Sequence, residues 1–205
     1  MICWFFVAGL RLAAFQVSRP VRQRVGDNAR TMRTAILSVA LVTLVAGCAS
    51  MAAYQAEQQG LADQATAALG ASQVTVLLKG NTRTGQYIRL SRTVELGTAS
   101  DEAGKTWLLA HELGHHVRGH INTYLEQEME ANAVAVQILQ VWGRSEEDAV
   151  RLVGNRLLSI RTSGSTLTGK GHDWCAEFAS LRSHYPQYPP RDPAKVNTTC
   201  PGTGG

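Results

Sequence analysis

The residues of this chain that can do chemistry stand together at His111-Glu112-Leu113-Gly114-His115. Residues four apart in a helix lie one above the other on the same face, so His111 and His115 can offer two imidazoles to one metal ion. Glu112 lies about 100° around the helix from His111, within reach of a water on that ion. Two neutral imidazoles suit zinc, and a catalytic zinc takes three protein ligands while keeping one position open for water. The carboxylate can then accept a proton from that water as it attacks a carbonyl carbon. A helix whose histidines merely pack or face solvent would carry the same five residues, so the neighbouring segments must supply the third ligand.

The positioning elements can be read outward from this motif. Ser100-Asp101-Glu102 opens a helix with acidic residues in its first turn. Trp107, Leu108 and Leu109 lead into the motif, and the helix is expected to end near Gly119. His116 falls one residue off the ligand face, and His120, at about 140° from His115, is expected to point away. The longer pattern H-E-x-x-H-x-x-G-x-x-H fails, because Arg118 stands where it needs glycine and Ile121 where it needs histidine. The third ligand is therefore not expected to be a histidine. After a turn around residues 121–123, a second helix over 124–142 carries Glu126, Glu128, Glu130 and Asn132. In an antiparallel helical hairpin His115 and Glu128 lie at similar heights from the turn, which makes Glu128 the expected third ligand and Glu130 the alternative. Asn132, one turn on, shares that face and can hydrogen-bond to His111 or another ligand. Val134, Ile138 and Val141 turn this helix toward the core.

Upstream, residues 74–78 are β-rich, Gly80-Asn81 reads as a turn, and residues 86–96 alternate through Tyr87, Ile88, Leu90, Val94 and Leu96. The expectation is a hairpin of these two strands, with Arg89 and Arg92 on its exposed face. It is too small to be stable alone and must pack against helices. Its second strand is either purely structural or an edge that pairs with an extended peptide. Residues 50–69, rich in Ala, Gln and Glu, form a helix that stops at Gly70 and packs on the outside. Downstream, Gly143 breaks the second helix and Ser145 caps a third. Residues 163–171 form a Gly/Ser/Thr-rich loop able to border a cleft. His172-Asp173 opens a last helix that ends at His184-Tyr185-Pro186, and 187–205 is a Pro- and Gly-rich tail. The fold class is α+β: a β-hairpin packed on the H-E-x-x-H helix and the glutamate-bearing helix, with further C-terminal helices.

The chain carries 20 Lys and Arg against 16 Asp and Glu, but the excess sits at the front. Residues 1–47 hold six arginines and one acid, Asp27; the remainder has 14 basic and 15 acidic residues. The body is thus near neutral and gives no argument for a nucleic-acid partner. Met32-Arg33 followed by an apolar run from Ala35 to Ala46 has the length of a signal-peptide core rather than a membrane span. It ends in Val45-Ala46-Gly47-Cys48, which resembles a bacterial lipoprotein box with Cys48 as the lipidated residue. Ala49 and Ser50, with no Asp at the second position, favour an outer-membrane anchor facing the periplasm. Residues 1–31 precede this complete leader and read as an upstream extension from a mis-assigned start. The segments are therefore 1–31, a leader over 32–47, a lipid-anchored tether and helix over 48–72, a catalytic domain over 73–186, and a tail over 187–205. In an oxidising compartment Cys175 and Cys200 have one partner each, and a Cys175–Cys200 disulfide is expected to hold the tail.

Residues 87–91, 108–115, 119–120 and 128–135, taken together, resemble the minimal gluzincin core. The likeness is nearest to ImmA/IrrE-type metallopeptidases, then to the HtpX group. Asn132 agrees with the first and the lipoprotein leader with the second. The resemblance, covering roughly 74–140, implies zinc ligands His111, His115 and Glu128, one zinc per chain, and Glu112 as general base. The start and end of the last helix resemble the C-terminal segment of the HtpX group. His172, His184 or Tyr185 can polarise a substrate carbonyl from across the cleft, though a capping or packing role is the favoured reading of each. The expected function is a lipid-anchored zinc endopeptidase acting on envelope proteins or peptides. The alternatives are a non-catalytic zinc-stabilised binding module and a peptidoglycan peptide hydrolase.

Overall fold

The structure is a computed structural model that describes residues 50–80, 82, 84–98, 100–121, 124–162, 172–190 and 193–200. The leader, Cys48 and the loop 163–171 lie outside the described residues. The chain divides into two compact units, Met1–Tyr54 and Gln55–Gly205. The second carries the sheet and the site. Among the described residues no helix is long and apolar enough to cross a membrane.

The fold class is α+β. Helix α1 (residues 50–68) precedes strands β1 (Thr75–Leu78), β2 (Gly85–Ile88) and β3 (Thr93–Leu96). Five helices follow: α2 (Glu102–Arg118), α3 (Leu125–Val141), α4 (Glu146–Thr162), α5 (Trp174–His184) and α6 (Pro193–Thr199). Helix starts follow their capping residues. Asp101 accepts from Gly104 N at the head of α2, Ser145 Oγ from Asp148 N at 3.1 Å before α4, and Asp173 from Cys175 and Ala176 N before α5.

The sheet corrects the expected hairpin. Residues 86–96 are not one strand but two, joined by a turn in which Arg92 takes φ 49° and donates to Arg89 O at 3.2 Å. Leu90, fully exposed, marks the turn tip rather than a strand face. The hairpin is β2–β3, and β1 joins β3 in parallel, giving the order β1-β3-β2. Central β3 buries Thr93, Val94 and Leu96.

Helix α1 reaches the core rather than lying outside it: Ala62 and Ala65 are fully buried there. Its Gln59 also completes the free edge of β1, donating to Val74 O at 2.9 Å and accepting from Val76 N at 2.8 Å. The tail is likewise more ordered than expected. Residues 193–199 are helical, Val196 and Cys200 are buried, and a Cys175–Cys200 disulfide ties α6 to the first turn of α5.

Candidate metal centre

Two close approaches bring the site together. A Cβ at Gly114 would stand 2.6 Å from Ala131 O, so the bare backbone lets α3 lie directly on α2. A Cβ at Gly85 would meet Leu108 Cγ at 2.9 Å and Glu112 Cγ at 3.0 Å, so β2 lies on the same helix one turn away. Larger side chains at either place would hold the elements apart.

The resulting cluster of His111, His115 and Glu128 is buried and can hold a metal ion. His111 Nε2 lies 3.1 Å from Glu128 Oε2, His115 Nε2 lies 3.2 Å from the same oxygen, and the two nitrogens are 3.2 Å apart. The three donor atoms form a nearly equilateral triangle. Burial would lower the His111 pKa, but the hydrogen bond that its imidazole donates to Glu128 and the charges of Glu112, Glu128 and Glu177 outweigh it and push it up to about 9. Burial alone would raise Glu128. Its hydrogen bonds to both imidazoles reverse that and hold it well below the usual carboxylate range.

Each imidazole is held from behind. His111 Nδ1 is 3.1 Å from Asn132 Oδ1, and Trp107 stacks on the His111 ring at 5.1 Å. His115 Nδ1 is 2.9 Å from His120 Nδ1, whose other nitrogen is 3.1 Å from Glu130 Oε2. Burial lowers the His120 pKa and keeps that ring neutral near pH 7. A carboxylate only accepts, so the His120 proton sits on Nε2 and its Nδ1 carries a lone pair. His115 must then donate from Nδ1, which leaves its Nε2 free to bind a metal.

His120 thus corrects the expectation that it points away. Gly119 takes the left-handed conformation, with φ 68°, and ends the helix. Gly119 N donates to His116 O and His120 N to His115 O, both at 3.0 Å, which folds the chain back over the last turn. Glu130, the alternative ligand, pairs with His120 and with Arg118 Nε at 3.0 Å instead of joining the triangle.

A pocket of about 150 Å³ opens over the cluster, walled by Gly85, Gln86 and Tyr87 of β2, by Ile121 and by His172. Glu112 lines it as well. Burial raises its pKa, opposed by the nearby His111 and His115 charges. Of the three residues considered for carbonyl polarisation, only His172 lines the pocket. His184 is exposed, with Nδ1 2.8 Å from Ser180 O, and Tyr185 is half-buried elsewhere. His172 Nδ1 lies 2.9 Å from Glu177 Oε1, and its ring stacks on Trp174 at 4.2 Å. Glu177, fully buried, also accepts from Asn132 Nδ2 at 2.7 Å. Nothing in the sequence pattern singled out Glu177, because it sits 45 residues beyond Asn132 on another helix.

No protein-family model matches the chain, and no curated protein or solved structure matches it either.

Proposed function

We propose that this chain is a zinc-dependent endopeptidase whose ligands are His111, His115 and Glu128 and whose general base is Glu112. The observation that carries this reading is the ligand triangle, with sides of 3.1, 3.2 and 3.2 Å, beside the Glu112 carboxylate in the pocket wall. Zinc bonds of about 2.0–2.1 Å in tetrahedral geometry require donor atoms about 3.3 Å apart. The donor set, two imidazoles and one carboxylate, is also one that zinc takes in hydrolytic sites.

Bound there, zinc would supply Lewis acidity, lowering the pKa of a water and polarising a carbonyl oxygen. The rest of the chemistry belongs to the chain. Glu112 accepts the proton of the attacking water and returns it to the amine that leaves. Its buried position in the pocket wall favours that traffic, since burial raises its proton affinity.

A peptide substrate is supported by the edge of β2. Gly97 N donates to Thr84 O at 2.8 Å, which sets the ladder so that Gln86 and Ile88 bond to β3. Gly85 and Tyr87 therefore turn their backbone groups outward, and both line the pocket. An extended chain can pair there and pass the metal site. With the lipoprotein reading of residues 45–48, the substrates are proteins or peptides of the bacterial envelope and the membrane tether is Cys48.

Zinc-loaded full chain should cleave an unfolded protein such as casein, and a Glu112→Gln variant should not. Zinc binding without cleavage by the wild type would sink the peptidase reading for general substrates. Equal cleavage by both would remove Glu112 as base.

A further inference from the structure

Glu177 is a fully buried carboxylate that belongs neither to the ligand triangle nor to the pocket wall. Both its oxygens are in use: Oε2 faces Asn132 Nδ2 at 2.7 Å and Oε1 faces His172 Nδ1 at 2.9 Å. A carboxylate only accepts, so both partners must donate. For Asn132 this decides the orientation of the amide. Its NH2 group turns to Glu177 and its Oδ1 turns to His111 Nδ1, 3.1 Å away. That oxygen in turn requires a proton on His111 Nδ1, and Nε2 becomes the nitrogen with a lone pair for the metal. An asparagine alone could not set this, because either end of a free amide can face an imidazole.

We propose that Glu177 is a positioning residue for the metal ligand His111: by locking the amide of Asn132 it fixes the imidazole tautomer that binds the ion through Nε2. The proposal rests on the metal-site reading above and assigns the buried charge behind that site, on α5, a part in building it. Glu177 makes no contact with the metal position. It acts through Asn132, and its bond to His172 keeps its second oxygen from turning away.

The test exchanges the acid and the amide. Glu177→Gln keeps the size of the side chain but puts a donor where one acceptor was. His172 Nδ1 also lies 3.5 Å from Glu128 Oε2, so a lone pair at that nitrogen would face a second carboxylate. The mismatch therefore falls on Asn132, whose amide turns over and drives the His111 proton onto Nε2. Zinc affinity, read on the full chain by competition with a coloured chelator, should fall about 10- to 100-fold. The double variant Asn132→Asp with Glu177→Gln restores every donor and acceptor. The new carboxylate accepts from His111 and from the new amide, whose oxygen accepts from His172. Its zinc affinity should return to within about threefold of wild type, a rescue that loss of packing cannot produce.

Wild-type affinity in Glu177→Gln, or a double variant as weak as the single, overturns the proposal. If Glu177→Gln fails to fold, a double variant that folds and binds zinc still supports it, and one that does neither overturns it. Absence of zinc binding by the wild type is a different result, which overturns the metal reading itself.

Discussion

Gly114 rests on the backbone of Ala131: a Cβ on the glycine would stand 2.6 Å from the alanine carbonyl oxygen and 3.0 Å from its Cα. The contact sits between His111 and His115 on one helix and three residues from Glu128 on the other, so it sets the distance across the ligand triangle. Gly114→Ala should cost about 1–3 kcal/mol of stability by overpacking. It should also weaken zinc binding by separating α2 from α3. Urea denaturation and chelator competition check the two effects. Unchanged metal affinity would mean that the helix spacing does not govern the site.

Gly85 makes the matching contact on the other side of α2, against Leu108 and Glu112. Here the candidate ligands are untouched and the proposed base is displaced. Gly85→Ala should therefore keep zinc affinity but lower kcat by roughly 10-fold or more, the scale of a misplaced general base. Parallel loss of metal would show that β2 supports the ligands and not the base.

The raised pKa of His111 should make metal uptake at the candidate site pH-dependent. Without metal, this residue holds its extra proton increasingly as pH falls below about 9, and an ion must expel it to reach Nε2. Lowering the pH adds the competitor, so affinity falls as pH falls. One displaced proton predicts about a 100-fold loss between about pH 8 and about pH 6. Chelator competition across that range measures the slope, and calorimetry in buffers of different ionisation heat counts the proton released.

The same pair governs the metal-free fold. His111 rises from 6.5 to about 9, so its contribution to stability is full below about pH 6.5 and is lost as pH climbs through 9. Glu128 is lowered from 4.5, so its contribution is full above that value and is lost as pH falls. Metal-free protein should be most resistant to heat between these limits. Zinc should flatten the alkaline side, since the ion replaces the proton. A metal-free melting curve that keeps rising toward pH 9 would contradict the assignment.

The Cys175–Cys200 disulfide closes a separation of 25 residues. Reduction should cost about 3 kcal/mol by releasing chain entropy in the unfolded state. Because Cys175 opens the helix that carries Glu177, the loss should appear in α5 and α6 first. Hydrogen exchange with and without a dithiol would show it.

What the sequence reveals of this site depends on how local each contact is. His111 and His115 are one helical turn apart, and helix geometry alone brings them together. Glu128 follows from counting equal heights on either side of a short turn. A count around the helix turns His120 away from the site, because it continues past Gly119, where the helix has already ended. A glycine at a helix terminus was the available warning. Glu177 could not be found, since its place beside Asn132 depends on how α5 docks on α3. The sheet shows the same limit. The alternation in residues 86–96 suggests one strand, while the turn at Arg92 and the parallel pairing of β1 with β3 are set by tertiary contacts.

Gln59 pairs with β1 as a neighbouring strand would, filling Val74 O and Val76 N with a side chain. Among the described residues the sheet therefore has one edge closed by its own helix and one without a strand partner, and that second edge is the one beside the candidate metal cluster. Two copies of this protein cannot readily join β1 to β1 and grow a common sheet. An extended chain that added a strand would be left with β2, so protection from self-association and the proposed delivery of substrate would arise from the same asymmetry.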